Sequence, residues 1–418
     1  MSTASVAFQD ATLQANQQAA FYPFQVDRLL LLIGENPLPS YVAARTLLKA
    51  GGTPYLVYTS HTKEQADRVR DLLRERSPDP QKFQYQCVPL EDYESDGYHI
   101  QTIIQDAIKP HIGDKWGLNY TGGTKPMAAH AYRVLLKLQP DAVFSYLDPR
   151  RLEMCIDREE GDRIRRKVNL KMSLEELFQL HHLAFQSIPI SQPNLPEVIT
   201  AFVSVAHQQD WQAWKNAGMP LEGLPDDIKA LLKPYADDSS RSVSLAALQA
   251  DRDFDQDYTA NYWINHNDWF EHYVLHQVQS IADAYSIHVS KASFHIKDLD
   301  SNPARRGCSS SQGDSEKKFE IDVAFMRSYQ LFALSCSISK TKSTLKEKLF
   351  EVYLRAKQLG GDEARVALVC FSEEPEVLEY ELKIVLDNPN IKVFGKAQLL
   401  NLADEIATWI EALGREAK

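Results

Sequence analysis

Between residues 27 and 155 short apolar runs alternate with longer stretches whose apolar positions recur every three or four residues. DRLLLLIG (27–34), PYLVYTS (54–60), FQYQCVPL (83–90) and WGLNYT (116–121) read as strands bounded by turn residues. The segments after them, SYVAARTLLKA, KEQADRVRDLLRER, IQTIIQDAIKPHI and PMAAHAYRVLLKL, carry the helical period, and Thr62 with Gln65 has capping-box spacing. AVFSYLDP and LEMCIDR close the unit as a hairpin. Strands alternating with helices specify a parallel sheet covered on both faces, an α/β, doubly wound (Rossmann-like) domain.

From residue 165 the pattern turns helical and Pro-punctuated (SLEELFQLHHLAF, LPEVITAFVSVAHQQDWQAWKNAG, PDDIKALLKPYADD), which predicts a helical connector. Near residue 258 a second unit begins. Its pattern predicts an aromatic-rich helix over 262–285, a strand SIHVSKASFHI and a Ser/Gly-rich loop over about 299–316. Two strands, a helix, the strand VALVCFS and a closing helix follow. In KFEIDVAFMR, strict alternation sends Phe319, Ile321, Val323 and Phe325 to one face and Glu320 and Asp322 to the other. The expected organisation is a loose tail (1–24), a doubly wound domain (25–160), a helical connector (161–255) and a C-terminal α/β domain (256–418).

Composition narrows the function classes. No apolar run reaches the ~18 residues of a membrane span, and the first twenty residues lack the basic start and apolar block of a signal peptide. Five scattered cysteines without a CxxC fit neither a zinc site nor a disulfide framework and suit a reducing cytoplasm. A net charge of −11 speaks against a protein that coats nucleic acid over its whole surface, while leaving room for local basic patches.

Three turns fall at carboxyl ends of the expected strands: Gly34-Glu35-Asn36-Pro37-Leu38-Pro39-Ser40, Thr59-Ser60-His61 and Thr121-Gly122-Gly123-Thr124-Lys125. Glycine lets a backbone approach a ligand closely. A helix start offers N–H groups and a favourable dipole to an anion, Pro126 removes no bond there, and Lys125 adds a full charge. One such turn alone is an ordinary αβ connection; three together describe a phosphate pocket. The glycine spacing fits neither a P-loop nor GxGxxG.

LLIGENPLPSYVAA (31–44) and LNYTGGTKPMAAHAY (118–132) resemble the two ligand-rim motifs of CARF domains, the cyclic-oligoadenylate sensors of type III CRISPR defence. The chain is most similar to CARF–nuclease effectors, over the whole N-terminal domain and more weakly beyond it. The resemblance implies a homodimer whose two sensor domains share one cyclic, four-fold anionic ligand such as cyclic tetra-adenylate. The ligand-binding residues it implies are Gly34, Asn36, Pro37, Leu38, Pro39, Thr59, Ser60, Thr121, Gly122, Gly123, Thr124, Lys125 and Met127, with Asn36 and Ser60 reaching ribose or adenine edges.

The C-terminal unit resembles the restriction-endonuclease-like domain of the same effectors. That domain uses a helix glutamate, a strand aspartate and a Glu-x-Lys on the next strand to hold Mg²⁺ or Mn²⁺ and activate water. Glu271 matches the helix glutamate, Asp322 the metal aspartate, and Glu320 could assist as a second metal carboxylate. The next strand departs: in LFALSCSI, Ser335 stands for the glutamate and Ser337 for the lysine. Loss of one preorganised charged group commonly raises a barrier by ~3 kcal/mol. Lys340 is the first candidate substitute, although strand parity puts it on the opposite face unless a bulge intervenes. Thr344 and Glu347 have the spacing to cap a helix carrying Lys346 and Lys348. Three readings follow: a ligand-activated, metal-dependent endonuclease cutting DNA or RNA; a non-catalytic sensor whose degenerate domain binds nucleic acid or a protein; and a ring nuclease that cleaves its own ligand by attack of a ribose 2′-hydroxyl.

Overall fold

A computed structural model describes residues 20–148, 150–158, 161, 163–237, 239, 241–250, 258–299 and 319–416. Most of the Ser/Gly-rich loop and most of the amino-terminal tail lie outside them. Phe21, assigned to the tail, is buried in the core.

The first domain runs β1 (Val26–Leu32), α1 (Leu38–Leu47), β2 (Leu48–Tyr58), α2 (Lys63–Glu75), β3 (Gln86–Pro89), α3 (Gly97–Ile108), β4 (Trp116–Asn119), α4 (Lys125–Leu138), β5 (Val143–Asp148), β6 (Glu153–Ile156) and β7 (Ile164–Lys167). Among the described residues these strands form one sheet in the order β3-β2-β1-β4-β5-β6-β7. The first five are parallel, and β6 and β7 are antiparallel additions. The doubly wound expectation and the β5–β6 hairpin hold; β7 escaped the sequence reading. Along β1 burial alternates: Leu29 and Leu31 join one core, Leu30 and Leu32 the other. Each fully buried leucine contributes ~1.5–3 kcal/mol, and a two-faced apolar strand is stable only between two helical layers.

The chain continues through α5 (Leu174–Leu180), β8 (Leu183–Phe185), α6 (Pro196–Gln208), α7 (Trp211–Asn216), α8 (Asp226–Leu232), a ribbon of β9 (Ala236–Asp237) and β10 (Ser242–Val243), and α9 (Leu245–Gln249). It then forms α10 (Ala260–Asn265), α11 (Asp268–Ser280), β11 (Ile287–Asp298), β12 (Phe319–Arg327), β13 (Gln330–Ser337), α12 (Lys342–Gly360), β14 (Arg365–Cys370), α13 (Pro375–Leu386), β15 (Ile391–Phe394), α14 (Lys396–Leu399) and α15 (Leu402–Glu416). The second sheet has the order β15-β14-β13-β12-β11-β8. The segment expected to be a helical connector thus supplies β8, paired to β11, and its helix α6 shares a core with α11. Three further expectations change. The helix over 262–285 breaks at Asn267, which takes left-handed φ 66. The closing helix is preceded by α13, β15 and α14. Helix α12 starts at Lys342 after Thr341, so Thr344 lies inside it and caps nothing.

The two sheets are joined by apolar packing. One core runs from β1, α1 and α2 through α5 to α12 and the inner face of the second sheet. Ser173 and Glu176 form the capping box of α5. The buried Glu176 then accepts from the Tyr41 hydroxyl at 3.0 Å and pairs with Arg76 at 2.9 Å, fixing α5 to α1 and α2.

Candidate functional site

In the first sheet the strand order changes direction between β1 and β4, the switch point beyond whose carboxyl ends an open parallel sheet leaves a crevice. The glycine turns stand at those two ends. Gly34 follows β1, Gly122 and Gly123 follow β4, and the paired strands bring the turns together. A β-carbon on Gly34 would lie 3.2 Å from the Gly123 nitrogen, and one on Gly122 only 2.3 Å from the Leu32 carbonyl oxygen. Gly123 has φ +74. The glycines therefore permit backbone to lie on backbone, which sets the rim before any ligand is considered.

The threonines are engaged in the same frame. Thr121 Oγ1 accepts from Leu147 N–H at 2.7 Å, and Thr124 Oγ1 donates to the Glu94 carbonyl while accepting from Met127 N–H. Met127 is fully buried under the turn, its sulfur 3.4 Å from the Thr124 nitrogen, so it supports the rim from below. Lys125 and Gly123 are exposed at the start of α4, as is Ser60 at the end of β2. The Thr62–Gln65 capping box is replaced by a Thr59–Thr62 pair in which Thr62 Oγ1 accepts from Thr59 N–H at 3.1 Å. Pro37 and Leu38 are buried and Pro39 half-buried at the start of α1. Asn36, expected to reach ribose or adenine edges, accepts from Leu38 N–H through its Oδ1 at 3.0 Å, and its Nδ2 lies against Gly361, just past α12 of the other domain.

The second constellation sits where the second sheet opens. The β12–β13 ladder ends at the pair Val323–Leu334. Beyond it the Asp322 carboxylate takes the place of backbone, its Oδ2 accepting from Cys336 N–H at 2.6 Å and from the Ser335 hydroxyl at 2.9 Å. Opposite Asp322, Ser293 on β11 has left-handed φ 55. The faces exchange at this point. Phe319 and Ile321 enter the core shared with the first domain, whereas Val323 and Phe325 enter the other, so the four do not share one face as alternation predicts.

Asp322 lines a cavity of about 210 Å³ with Glu271, Asp268, Glu320, His295 and Lys348. Glu271 accepts from the Ser293 hydroxyl at 2.7 Å; burial, then the charges of Asp322 and Asp268, hold its carboxyl well above the usual range. Burial likewise raises Asp268, which accepts from the Tyr258 hydroxyl. Glu320 is exposed and lies 3.1 Å from His295. Glu271, Asp322 and Glu320, matched from the sequence, thus meet at one cavity. Lys340 does not join them: it pairs with Asp210 at 3.3 Å. Ser337 Oγ is occupied by Ser339 N–H. The lysine at the cavity is Lys348, whose Nζ is 3.5 Å from Asp322 Oδ2. The sequence puts it in a lysine group that reads equally as a solvated helix start or as a patch gripping nucleic acid phosphates; its place at the cavity follows from how α12 crosses the sheet. Among the described residues no three histidine, cysteine or carboxylate side chains form a ready metal site. Asp322 and Glu271 fit a hard divalent cation only in company with substrate phosphate oxygens, the way Mg²⁺ is commonly held.

No family model matches the chain, and no curated protein matches it in sequence. Solved structures do match. The protein VC1899 from Vibrio cholerae superposes with a TM-score of 0.67 at 14% identity, over 93% of this chain and 98% of that one. Can2 from Sulfobacillus thermosulfidooxidans, in complex with cyclic tetra-adenylate, gives 0.66 at 17% identity, over 94% and 99%. A type III CRISPR defence DNA nuclease activated by cyclic oligoadenylate gives 0.54 at 16% identity, over 90% of this chain and 51% of that one. At these identities the likeness is one of fold. It spans both domains in a single alignment.

Proposed function

We propose that the chain is a cyclic-oligoadenylate-responsive effector of type III CRISPR defence, in which a two-fold pair of sensor domains shares one ligand and controls a domain that engages nucleic acid. The observation that carries this reading is the pairing of both sites in one chain: glycine turns interlocked at the β1/β4 switch point, and the Asp322–Glu271 cavity at the opened edge of the second sheet. The nearly full-length fold likeness to a protein complexed with cyclic tetra-adenylate supports it.

In this reading the exposed amide of Gly123, the α4 start and Lys125 meet internal phosphates, and the second copy of the rim completes the ring. In the C-terminal domain Asp322 and Glu271 would hold Mg²⁺ or Mn²⁺ together with the substrate phosphate. A divalent cation bound there supplies charge neutralisation and a more acidic water. The protein's own part is to hold the two carboxylates, Asp322 by two donors and Glu271 by Ser293, in a cleft where their mutual repulsion favours a cation.

A second reading, binding without cleavage, is favoured by Ser335 and Ser337, whose hydroxyls are spent within the fold. The test is calorimetric titration with cyclic tetra-adenylate, followed by plasmid and RNA cleavage with Mn²⁺ in its presence and absence. One ligand bound per two chains and ligand-dependent cleavage lost in Asp322→Ala support the first reading. Ligand binding with nucleic acid retention but no cleavage supports the second. Absence of ligand binding overturns both.

A further inference from the structure

Two strand positions of the second sheet that face the opened ladder carry serine, yet the cavity beside them is not without a cation. Lys348 reaches it from α12, the helix that crosses above β13 and β14. Among the described residues lining the cavity it is the one lysine. Its side chain lines the open cleft and is 44% exposed.

The neighbouring lysines are committed elsewhere. Lys340 pairs with Asp210 at 3.3 Å, and Lys342 and Lys346 both pair with Glu381, at 2.5 and 2.7 Å. Lys348 sits 3.5 Å from Asp322 Oδ2, longer than the ~2.7–2.9 Å of a direct charge-assisted hydrogen bond. Asp322 Oδ2 already accepts from Cys336 N–H and Ser335 Oγ. The ammonium therefore keeps donors for a second anion while the aspartate holds it over the cleft.

We propose that Lys348 is the phosphate-contacting cation of this site, meeting a non-bridging oxygen of the nucleic acid backbone seated against Asp322 and Glu271. The proposal rests on the nucleic-acid reading of the C-terminal domain and names the residue that replaces the strand lysine. A lysine suits the task as a compact point charge on a flexible stem, and its entry from a helix makes its reach depend on the helix position.

The experiment measures binding of fluorescein-labelled 20-mer single-stranded DNA and RNA by anisotropy to the full chain, with EDTA present, with and without cyclic tetra-adenylate. Lys348→Ala should weaken binding by about tenfold and lower the salt slope by about 0.7, as for one lost phosphate contact to a single strand. Lys348→Arg should retain most of the affinity, and Lys340→Ala, whose lysine pairs with Asp210 away from the cavity, should leave it unchanged. Unchanged thermal melting of the variants separates loss of contact from loss of fold. The double variant Ser337→Lys/Lys348→Ala should recover binding by returning the charge to the strand. Equal affinity and salt slope for the original chain and Lys348→Ala overturn the proposal, as does absence of measurable binding to either oligonucleotide. Failure of the sensor reading is seen separately, as absence of cyclic tetra-adenylate binding by calorimetry, while the ligand-free arm still reads Lys348.

Discussion

Gly122 and Lys125 stand three residues apart and should fail in different ways. A β-carbon at Gly122 meets the Leu32 carbonyl oxygen at 2.3 Å, a backbone atom inside β1 that has nowhere to go. Gly122→Ala should therefore lower the melting temperature, by ~2–4 °C for each kcal/mol lost in a domain of this size, and weaken ligand binding as a consequence. Lys125 is exposed, and Lys125→Ala should leave melting unchanged while weakening cyclic tetra-adenylate by ~1.5–3 kcal/mol, a charged hydrogen bond's share. Differential scanning fluorimetry beside calorimetry separates the two. A melting shift in Lys125→Ala, or none in Gly122→Ala, contradicts these roles. The place of the glycine turns was legible because turn chemistry is local. The role of Met127 was not: an apolar residue one turn into a helix reads the same whether it faces a ligand or props a turn, and only the packing decides.

At the scale of elements, α12 links the two sites. Lys348 in its first half lines the Asp322 cavity, and Gly361 just past its end lies against Asn36 of the rim. A β-carbon on Gly361 would stand 2.5 Å from Asn36 Nδ2, and the residue holds φ +66. Gly361→Ala should therefore disturb the rim from the other domain and change the affinity for cyclic tetra-adenylate several-fold. By linkage, any coupling of the two sites acts equally in both directions. Calorimetry giving the original affinity would show that the contact transmits nothing. The strands and helices that build this arrangement were largely readable from their periods. The exchange of faces at Asp322 was not, because it arises between strands, at a left-handed Ser293 that no alternation rule announces. That Lys348, among the lysines of that helix start, reaches the Asp322 cavity was not legible for a related reason. Strand parity tracks residues along one strand and says nothing about a helix reaching over it.

For the whole molecule, the junction between the domains carries a buried acid. Glu363 is 8% exposed, and burial, with Asp362 and Asp148 nearby and Arg365 opposing them, raises its carboxyl to about 8. The folded chain thus keeps a proton there that the unfolded chain releases above the ordinary carboxylate value of 4.5. The contribution to stability is complete below that value, falls as pH rises towards about 8, and levels off above it, with a slope of at most ~1.4 kcal/mol per pH unit. Urea denaturation between pH 5 and pH 8 should show the decline, and Glu363→Gln should flatten it; identical slopes would place the acid elsewhere. The shared-ligand reading also requires a dimer. Light scattering should give twice the chain mass of 47.5 kDa, and a monomer in the presence of cyclic tetra-adenylate would contradict it.

The geometry of α12 sets a scale for what such a dimer could do with its ligand. Lys348 and Gly361 are thirteen positions apart, so about 20 Å of stiff rod separates the cavity from the rim contact. A rod pivoting at its rim end through ~5° carries the far point through roughly 1.7 Å. That displacement is about half of the 3.5 Å now separating Lys348 Nζ from Asp322. A small rotation at the rim end is therefore enough to move the ammonium between aspartate and cleft, with no strand changing its partner.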